Sequence, residues 1–424
     1  MKQTLITNSA ALHGTLRVPS DKSISHRAAL LGSMAQGRTV IRHYLDAEDT
    51  MNTLYAMRQL GVSWEKEGNT ITLEGKKAQF ESPQQCINIG NSGTSIRLLS
   101  GVLASVPQSF TLTGDASIQK RPMERIITPL HLMGAEISGK EGSEYPPLTI
   151  SGGHLHGITY HMPIASAQVK SAILLAGLKA EGETVVFEKA LSRNHTEEMI
   201  PLFGGSIQVE GKKIALSGNQ SLQGTELSVP GDISSAAFFI VAALIVPHSE
   251  IRLTNVNLNP TRSGILNVIQ KMGGRIDVEK VQGMQGDLIV RYQPLHGTVI
   301  EGDLIPTLID EIPIIALLAT QAEGDTIIRD AKELRVKESD RIHTITEELT
   351  KLGAKITEID DGLIIHGPTP LRSAVVDSHY DHRIGMMLSI AALICDGGAM
   401  TLENSDSIAV SYRHFFTDLS HLIG

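Results

Sequence analysis

The chain has 424 residues, of which 41% are hydrophobic, 20% charged and 4% aromatic, and its formal net charge is −9. This length favours two domains, and this composition is ordinary for a globular protein. The few aromatic residues argue against a base-stacking nucleic-acid platform, and the negative net charge argues against a surface that coats polyanions. We therefore expect no nucleic-acid partner, although a small basic pocket stays compatible with these numbers.

The chain contains two cysteines, Cys86 and Cys395, in unrelated contexts. They form neither a disulfide framework nor a zinc pattern, which fits a reducing cytoplasm. The N-terminal segment is too polar for a signal peptide, and the longest apolar run, SSAAFFIVAALIV, is too short to span a membrane. We expect a cytoplasmic protein without a membrane partner.

One pattern recurs six times along the chain. Each copy predicts an apolar helix rich in Ala and Leu, a short polar break and a strand of alternating apolar residues. In chain order the copies are HRAALLGSMAQGRTVIRHY, IRLLSGVLASVPQSFTLTG, KSAILLAGLKAEGETVVFEKA, AAFFIVAALIVPHSEIRLTNV, IPIIALLATQAEGDTIIRDA and GMMLSIAALICDGGAMTLEN. Their period of about 70 residues is longer than that of the common solenoid repeats.

A second helix follows each strand, and in five copies it ends in Gly just before the next strand. The endings are QLGV, LMGA, LFGG, KMGG and KLGA, and Gly at this place is typical of a left-handed helix cap. A hairpin then closes each copy, which predicts βαβαββ units. The sixth copy stops at FFTDLSHLIG, where its hairpin should begin, whereas QTLITNSAALHGTLRVP at the N-terminus is an unassigned hairpin.

This pattern predicts an α/β protein of two domains, each built from three βαβαββ units. One domain spans residues 21–228, and the other combines 1–20 with 229–424, closed by the N-terminal hairpin. The two chain crossings near residues 20 and 229 are predicted to act as a hinge. The alternative is an ordinary α/β protein in which the spacing is a coincidence.

The six apolar helices begin with small, polar or charged residues. These starts are SDKSISHR (20–27), GNSGTSIR (90–97), SAQVK (166–170), GDISS (231–235), IDEIP (309–313) and DHRIG (381–385). N-capping explains any one of them alone. It does not explain the cations in or near these first turns, which the helix macrodipole opposes: Lys22, Arg27, Arg97, Lys170 and Arg383.

An anionic ligand accounts for these cations. Helix N-termini attract phosphate and carboxylate groups, and Lys and Arg add full positive charge. Units related by pseudo-threefold symmetry would aim several helix starts at one cleft. The sequence therefore predicts a small ligand with several negative charges, enclosed by domain closure.

Motifs for nucleotides and metals are absent. The sequence has no GxxxxGK[ST] loop, no GxGxxG after a strand and no GxSxG elbow. It also has no HExxH and no Cys/His cluster, so we predict no metal site.

The chain resembles the 5-enolpyruvylshikimate-3-phosphate (EPSP) synthase family of enolpyruvyl transferases along nearly its whole length. The stretches that carry the resemblance are DKSISHRA, GNSGTSIR, KRPM, SAQVKSA, GDISSAA, RVKESDRI and DHRIGM. The family fold is a two-domain inside-out α/β barrel with three βαβαββ repeats per domain. The resemblance implies that the 5-hydroxyl of shikimate 3-phosphate attacks phosphoenolpyruvate, forming a tetrahedral intermediate that loses phosphate. It implies a monomer that needs no cofactor.

The resemblance also implies roles for individual residues. The implied catalytic residues are Lys22, Asp310 and Glu338. The implied shikimate 3-phosphate-binding residues are Lys22, Ser23, Arg27, Ser166, Ala167, Gln168, Ser192, Arg193, Asp310 and Lys337. The implied phosphoenolpyruvate-binding residues are Lys22, Asn91, Gly93, Thr94, Arg121, Gln168, Arg341, His382 and Arg383.

The implied proton transfers leave alternatives open. Asp310 opens a helix, where its anionic form is favoured, which suits a base. The cations around Glu338 favour its charged form and suggest an ordinary salt bridge, whereas the charge of the substrates favours a protonated acid. Lys22 is the alternative proton donor.

Some positions depart from the family pattern. Ala167 stands where the family often has Ser, His195 where some members have Tyr, and Val410 where some members have Lys. The motifs SAQVK, RNHTE, GDISS and NPTR are similar to the subgroup called class II, which implies tolerance of the inhibitor glyphosate.

Two rival functions remain at this point. The UDP-N-acetylglucosamine enolpyruvyl transferase usually carries a Cys in the loop that corresponds to DASIQKRPMERI, and this loop has none. A non-catalytic anion-binding repeat protein would need the basic helix starts but not Asp310 together with Glu338.

Overall fold

The computed structural model describes residues 1–424, which form two compact units. The continuous unit contains residues 20–229, and the discontinuous unit contains residues 1–19 and 230–424. Each unit has its own buried apolar core. No helix in the protein combines the length and the apolar character needed to cross a bilayer.

The strands are β1 (Gln3–Leu5), β2 (His13–Leu16), β3 (Gln36–Arg42), β4 (Trp64–Glu67), β5 (Thr70–Lys76), β6 (Ile87–Asn88), β7 (Ser109–Thr113), β8 (Glu136–Ser138), β9 (Leu148–Ser151), β10 (Thr159–His161), β11 (Glu183–Phe187), β12 (Gln208–Glu210), β13 (Lys213–Ser217), β14 (Glu226–Ser228), β15 (Glu250–Asn257), β16 (Asp277–Gln282), β17 (Gln285–Arg291), β18 (Val299–Ile300), β19 (Gly324–Ile328), β20 (Lys355–Ile359), β21 (Gly362–Gly367), β22 (Leu371–Arg372), β23 (Val375–Asp377), β24 (Cys395–Asp396) and β25 (Met400–Glu403).

The α-helices are α1 (Lys22–Met34), α2 (Glu48–Gln59), α3 (Gly93–Ala104), α4 (Glu124–Leu132), α5 (Ala167–Gly177), α6 (His195–Leu202), α7 (Ile233–Ile245), α8 (Gly264–Lys271), α9 (Ile305–Leu308), α10 (Ile312–Thr320), α11 (Arg341–Lys351), α12 (His382–Ala392) and α13 (Phe415–Ile423). Short 3-10 helices cover Ile118–Lys120, Lys140–Gly142, Gly302–Leu304, Lys332–Val336 and Ser405–Val410.

One four-stranded sheet recurs in both units. In each copy a central strand pairs in parallel with one edge strand and antiparallel with a hairpin on its other side. The orders are β14-β3-β5-β4, β6-β7-β9-β8 and β10-β11-β13-β12 in the continuous unit, and β2-β15-β17-β16 and β18-β19-β21-β20 in the discontinuous unit. The predicted fold class, α/β with repeated βαβαββ units, is confirmed.

The N-terminal segment does not form the predicted hairpin. β1 pairs antiparallel with β25, and β25 pairs in parallel with β23, so β1 alone completes the sheet of the sixth repeat. β2 instead pairs in parallel with β15 in the sheet of the fourth repeat. The sequence could not distinguish these partners, because a strand's own residues specify its pattern but not its neighbour.

The apolar helices of the repeats are buried. Every residue of α7 except Ser235 is buried, as expected for a helix that is apolar all round. α7, α10 and α12 pack against one another in all three pairs, and α3 packs against both α1 and α5. The apolar helices of the repeats therefore pack together within each unit.

The second helices of the first five repeats end as predicted, at a glycine in the left-handed region. The φ angles are +85° at Gly61, +102° at Gly134, +75° at Gly204, +85° at Gly273 and +96° at Gly353. A side chain at these positions would be strained, so Gly stops the helix and turns the chain into the next segment.

Candidate active site

Five of the six helix starts are capped by the chain's own side chains. Each cap accepts a hydrogen bond from a backbone N–H two or three residues ahead: Asp21 from Ile24 at 2.9 Å, Ser92 from Ser95 at 3.1 Å, Ser166 from Val169 at 3.4 Å, Asp232 from Ser234 at 2.8 Å and Asp381 from Arg383 at 2.9 Å. The start of α10 has no side-chain cap. Capping is therefore confirmed at five starts, and it satisfies only one of the several N–H groups of a first turn.

Each unit brings helix starts together. In the discontinuous unit, Ser234 of α7 donates to the Glu311 carboxylate before α10, and Arg383 of α12 approaches the same oxygen to 3.6 Å. In the continuous unit, Arg97 of α3 donates to Gln168 of α5 at 2.6 Å. Each unit thus has one cluster of helix starts.

Lys22 has a buried counterion in the continuous unit. Its Nζ lies 2.9 Å from Asp49 Oδ2 in the first turn of α2, and the other oxygen of Asp49 lies 3.4 Å from His26 Nε2. Burial alone would raise the pKa of Asp49, but Lys22 and His26 hold this pKa well below its usual range. Asp49 therefore keeps a negative charge beside the Lys22 ammonium.

Arg27 is almost fully buried, and its guanidinium bonds to protein groups. Nε donates to Thr196 Oγ1 at 2.7 Å, Nη2 donates to Ser171 Oγ at 2.7 Å, and Nη1 donates to the Ser23 carbonyl at 3.0 Å. These bonds tie α1 to α5 and α6. Binding of a substrate carboxylate by Ser23 and Arg27 stays a prediction, and a carboxylate at Arg27 would have to compete with these acceptors.

Two guanidinium groups lie close to the backbone of Gly93. Arg121 Nη2 donates to Asn91 Oδ1 at 3.1 Å. A Cβ atom on Gly93 would lie 2.8 Å from Arg121 Nη1 and 3.3 Å from Arg97 Nη1. Residue 93 must therefore lack a side chain if Arg121 is to keep this position.

Lys170, one of the cations that the sequence places near a helix start, is paired with carboxylates inside the protein. It is fully buried, and its Nζ lies 2.9 Å from Glu188 and 2.6 Å from Glu197. Burial raises the pKa of Glu197, and Lys170 offsets part of that rise. The helical rotation turns position 170 into the core, where a charge needs paired partners.

Ser192 is held by Glu188, the glutamate that also pairs with Lys170. The Ser192 N–H donates to Glu188 Oε1 at 3.0 Å, and the Ser192 hydroxyl donates to this oxygen at 2.5 Å. Both hydrogens of Ser192 are thus used within the protein. Arg193 follows directly in the chain, while Ser166 caps α5 and Ala167 is its first residue.

Asp310 is surrounded by arginines in the discontinuous unit. Arg341 Nη1 donates to its Oδ1 at 3.2 Å, Arg383 Nη2 lies 3.7 Å from its Oδ2, and Arg262 Nη1 lies 3.9 Å from Oδ2. Arg383 also donates to the Asp310 carbonyl at 3.1 Å. This arrangement favours the anionic carboxylate, the form that a base requires.

Glu338 shares Arg341 with Asp310. Arg341 Nη2 donates to Glu338 Oε2 at 2.6 Å, so the salt-bridge interpretation of Glu338 is confirmed for this partner. The neighbouring Lys337 lies 3.4 Å from Glu333. The structure thus brings the two candidate proton-transfer carboxylates to one guanidinium.

Asp381 is the third carboxylate that accepts hydrogen bonds from Arg341. Arg341 Nε donates to Asp381 Oδ2 at 2.7 Å. Burial alone would lower the pKa of Arg341, but Asp381, Glu338 and Asp310 raise it above its usual value. Burial alone would raise the pKa of Asp381, but Arg341 lowers it. His382, which follows Asp381, is buried at the start of α12.

The cluster in the discontinuous unit differs from the predicted electropositive helix tips. Its three arginines, Arg262, Arg341 and Arg383, are outnumbered by five carboxylates, Asp232, Asp310, Glu311, Glu338 and Asp381. The carboxylates cap helices and hold the guanidinium groups in place. The prediction missed this role of the carboxylates, because it considered only the cations within each segment.

A sequence profile of EPSP synthase (3-phosphoshikimate 1-carboxyvinyltransferase) matches residues 6–419. The chain belongs to the EPSP synthase family.

Several members of the EPSP synthase family are similar along their whole length. A 3-phosphoshikimate 1-carboxyvinyltransferase of Enterococcus faecalis is 56% identical over 422 residues, covering 99% of both chains. One of Geobacillus kaustophilus is 54% identical over 426 residues, covering 99% of this chain and 100% of the relative.

Solved structures agree with this assignment. An EPSP synthase from Acinetobacter baumannii superposes with a TM-score of 0.88 at 41% identity, covering 99% of this chain and 98% of that chain. The enolpyruvyl transferase NikO from Streptomyces tendae, with a TM-score of 0.82 at 19% identity over 99% of this chain and 97% of that one, shares the fold. EPSP synthase is an enzyme family, so a non-catalytic anion-binding protein is no longer a good alternative.

Sequence reasoning missed Asp49 and Glu311 as members of these clusters. Asp49 lies on the face of α2 that also buries Thr53, four residues later. A charged residue on an otherwise buried helix face is a usable signal, since its burial requires a partner. Glu311 is fully buried beside Asp310, and the pair of acids in IDEIP was the corresponding signal.

Proposed function

We propose that this protein transfers the enolpyruvyl group of phosphoenolpyruvate to the 5-hydroxyl of shikimate 3-phosphate and releases inorganic phosphate. Membership of the EPSP synthase family supports the substrates. The observation that carries the chemistry is the sharing of Arg341 by Asp310 and Glu338. The guanidinium favours the ionised form of both carboxylates, which suits Asp310 as the base, and the negative charge of the bound substrates would favour protonation of Glu338 as the acid.

The continuous unit supplies one set of groups for the anionic parts of the substrates. Lys22, Asn91, Gly93, Thr94, Arg121 and Gln168 are proposed to hold phosphoenolpyruvate, with Lys22 also contacting shikimate 3-phosphate. Ser23, Arg27, Ser166, Ala167, Gln168 and Arg193 are proposed to hold shikimate 3-phosphate. Ser192 is proposed to support this segment through Glu188, because both of its hydrogens are already donated.

The discontinuous unit supplies the proposed base, Asp310, and one of the two candidate proton donors, Glu338. Asp310 takes the proton of the 5-hydroxyl while the hydroxyl oxygen bonds to the central carbon of phosphoenolpyruvate. Glu338 or Lys22 delivers a proton to the methylene carbon. Loss of a proton from the resulting methyl group and of phosphate from the ketal carbon then gives the enolpyruvyl ether. Arg341, His382 and Arg383 are proposed to bind phosphoenolpyruvate, and Lys337 shikimate 3-phosphate.

Phosphate release tests the proposal. The protein is incubated with phosphoenolpyruvate and either shikimate 3-phosphate or UDP-N-acetylglucosamine. Release with shikimate 3-phosphate alone is expected, and release with only the nucleotide sugar would refute the proposal. Asp310→Asn should lower kcat by about 10²–10⁴-fold, whereas Asp303→Asn, at an exposed acid of the same unit, should leave it unchanged.

Further properties belong to the proposal. The protein is proposed to act as a cytoplasmic monomer and to tolerate glyphosate, because its SAQVK, RNHTE, GDISS and NPTR segments are similar to class II members. Size-exclusion chromatography with light scattering measures the molar mass in solution, which should be that of one chain. A glyphosate inhibition curve that coincides with that of a sensitive enzyme would remove the tolerance.

A further inference from the structure

Arg97, Gln168 and Thr94 form a hydrogen-bonded triad between the starts of α3 and α5. Arg97 Nη1 donates to Gln168 Oε1 at 2.6 Å, and Gln168 Nε2 donates to Thr94 Oγ1 at 3.0 Å. All three side chains are partly buried. The two helices come from different repeats, so the triad is a link between repeats.

The chemistry of the three groups determines the orientation of the Gln168 amide. A guanidinium has only donors, so the amide oxygen must face Arg97 and the amide nitrogen must face away from it. One N–H of this nitrogen is used by Thr94. The Thr94 oxygen accepts that bond, so its own hydroxyl hydrogen points elsewhere.

The triad therefore directs donors to a ligand. With Oε1 of Gln168 bound to Arg97, the second amide N–H of Gln168 and the hydroxyl hydrogen of Thr94 can both be directed to a ligand. An ionised carboxylate or phosphate oxygen, which only accepts, matches such a pair. The reversed amide would direct its oxygen to the same place and repel an anion.

We propose that Arg97 is a positioning residue that holds Gln168 with its N–H groups toward the anionic substrate, and that Arg97 acts through Gln168 rather than on the substrate. This inference rests on the proposed function for the identity of the anion, phosphoenolpyruvate. It replaces the expectation that Arg97, as a cation at a helix start, binds the anion itself. The bond to Gln168 at 2.6 Å is the observation behind the positioning role, and the double-mutant cycle below separates this role from direct contact.

A double-mutant cycle tests the positioning role. Arg97→Met, Gln168→Ala and the double variant are compared by kcat, by KM for phosphoenolpyruvate and by Kd from calorimetric titration with phosphoenolpyruvate. Arg97→Met alone should raise KM and Kd by about 10-fold or more, with a smaller change in kcat. In the Gln168→Ala background the same change should cost less than about threefold, because the residue through which Arg97 acts is gone.

Two substitutions probe the donor argument. Gln168→Glu keeps an acceptor for Arg97 but has no N–H, so it should weaken phosphoenolpyruvate binding at least as much as Gln168→Ala. Arg97→Lys should rescue part of the loss of Arg97→Met, because an ammonium also has only donors. Arg38→Met removes an exposed cation of the same unit and should change neither KM nor Kd.

Two results would overturn the inference. One is a full effect of Arg97→Met in the Gln168→Ala background, which would mean that Arg97 contacts the substrate directly. The other is wild-type affinity of Gln168→Glu for phosphoenolpyruvate. Thermal unfolding of every variant separates loss of fold from loss of affinity. The Kd cycle remains informative without turnover: absent phosphate release would refute the proposed function, whereas coupling in Kd would still support the triad.

Discussion

Arg341 donates from Nη2 to the Glu338 carboxylate at 2.6 Å. The same guanidinium donates from Nε to Asp381 at 2.7 Å and from Nη1 to Asp310 at 3.2 Å. Each of the three guanidinium nitrogens is therefore held by a carboxylate. In turn, Arg341 sets where the two proposed proton-transfer groups lie relative to each other.

Arg341→Lys should damage activity although it keeps the charge. An ammonium on a flexible chain cannot reproduce three directed bonds from one planar group. We expect kcat/KM to fall by about 10²-fold or more and the free energy of unfolding by about 1–3 kcal/mol. Steady-state kinetics and urea denaturation measure these. The control is Arg291→Lys, at an exposed arginine of the same unit, which should change the unfolding free energy by about 0.5 kcal/mol or less. Wild-type kcat/KM in Arg341→Lys would contradict this account.

Gly93→Ala should weaken the use of phosphoenolpyruvate without unfolding the protein. The new Cβ would lie 2.8 Å from Arg121 Nη1, the end of a flexible side chain that can move aside. Displacing this group should lower kcat/KM for phosphoenolpyruvate by about 10–100-fold. Gly153→Ala is the matched control, since its Cβ meets nothing within 4 Å. An equal effect of both substitutions on kcat/KM would disprove the role of the close approach.

Ser192→Ala should affect stability more than substrate binding. Its hydroxyl donates to the buried Glu188 at 2.5 Å, and removing the donor leaves a buried carboxylate with one bond fewer. We expect the free energy of unfolding to fall by about 1–3 kcal/mol, with KM for shikimate 3-phosphate within about threefold of wild type. Ser82→Ala, at an exposed serine of the same unit, is the control. A large rise in KM at unchanged stability would restore Ser192 as a direct ligand.

Asp49 should make the free energy of unfolding depend on pH in the acidic range. The pKa of Asp49 in the folded protein lies well below its unfolded value, which is about 3.9. Its contribution is therefore complete at neutral pH and is lost as pH falls from the unfolded value toward and through the folded one. Asp49→Asn should be less stable than wild type at neutral pH, and the difference should shrink below about pH 4.

Urea denaturation at a series of pH values measures this difference. Asp46→Asn removes a more exposed partner of Lys66 in the same unit and should change the unfolding free energy by less than about 1 kcal/mol. A constant difference between wild type and Asp49→Asn at all pH values would show that the charge of Asp49 is not the cause.

Local patterns predicted the repeats well. The apolar helices, their capping residues and the glycines that end the second helices all depend on neighbours within about one turn. The N-terminal strands were predicted as strands but assigned wrongly to each other. β1 and β2 pair with β25 and β15, about 400 and 240 residues away in the chain, and nothing in their own residues encodes those partners.

The charged residues show the same division. Lys170 and Lys22 look alike in sequence, as cations near a helix start, but Lys170 is buried between Glu188 and Glu197 whereas Lys22 is partly exposed beside Asp49. The sequence by itself determined which segments become helices and which motifs place this chain in its family. Only the tertiary structure decided which ionic groups are counterions and which are left for a ligand, because that depends on carboxylates brought from distant parts of the chain into a desolvated site.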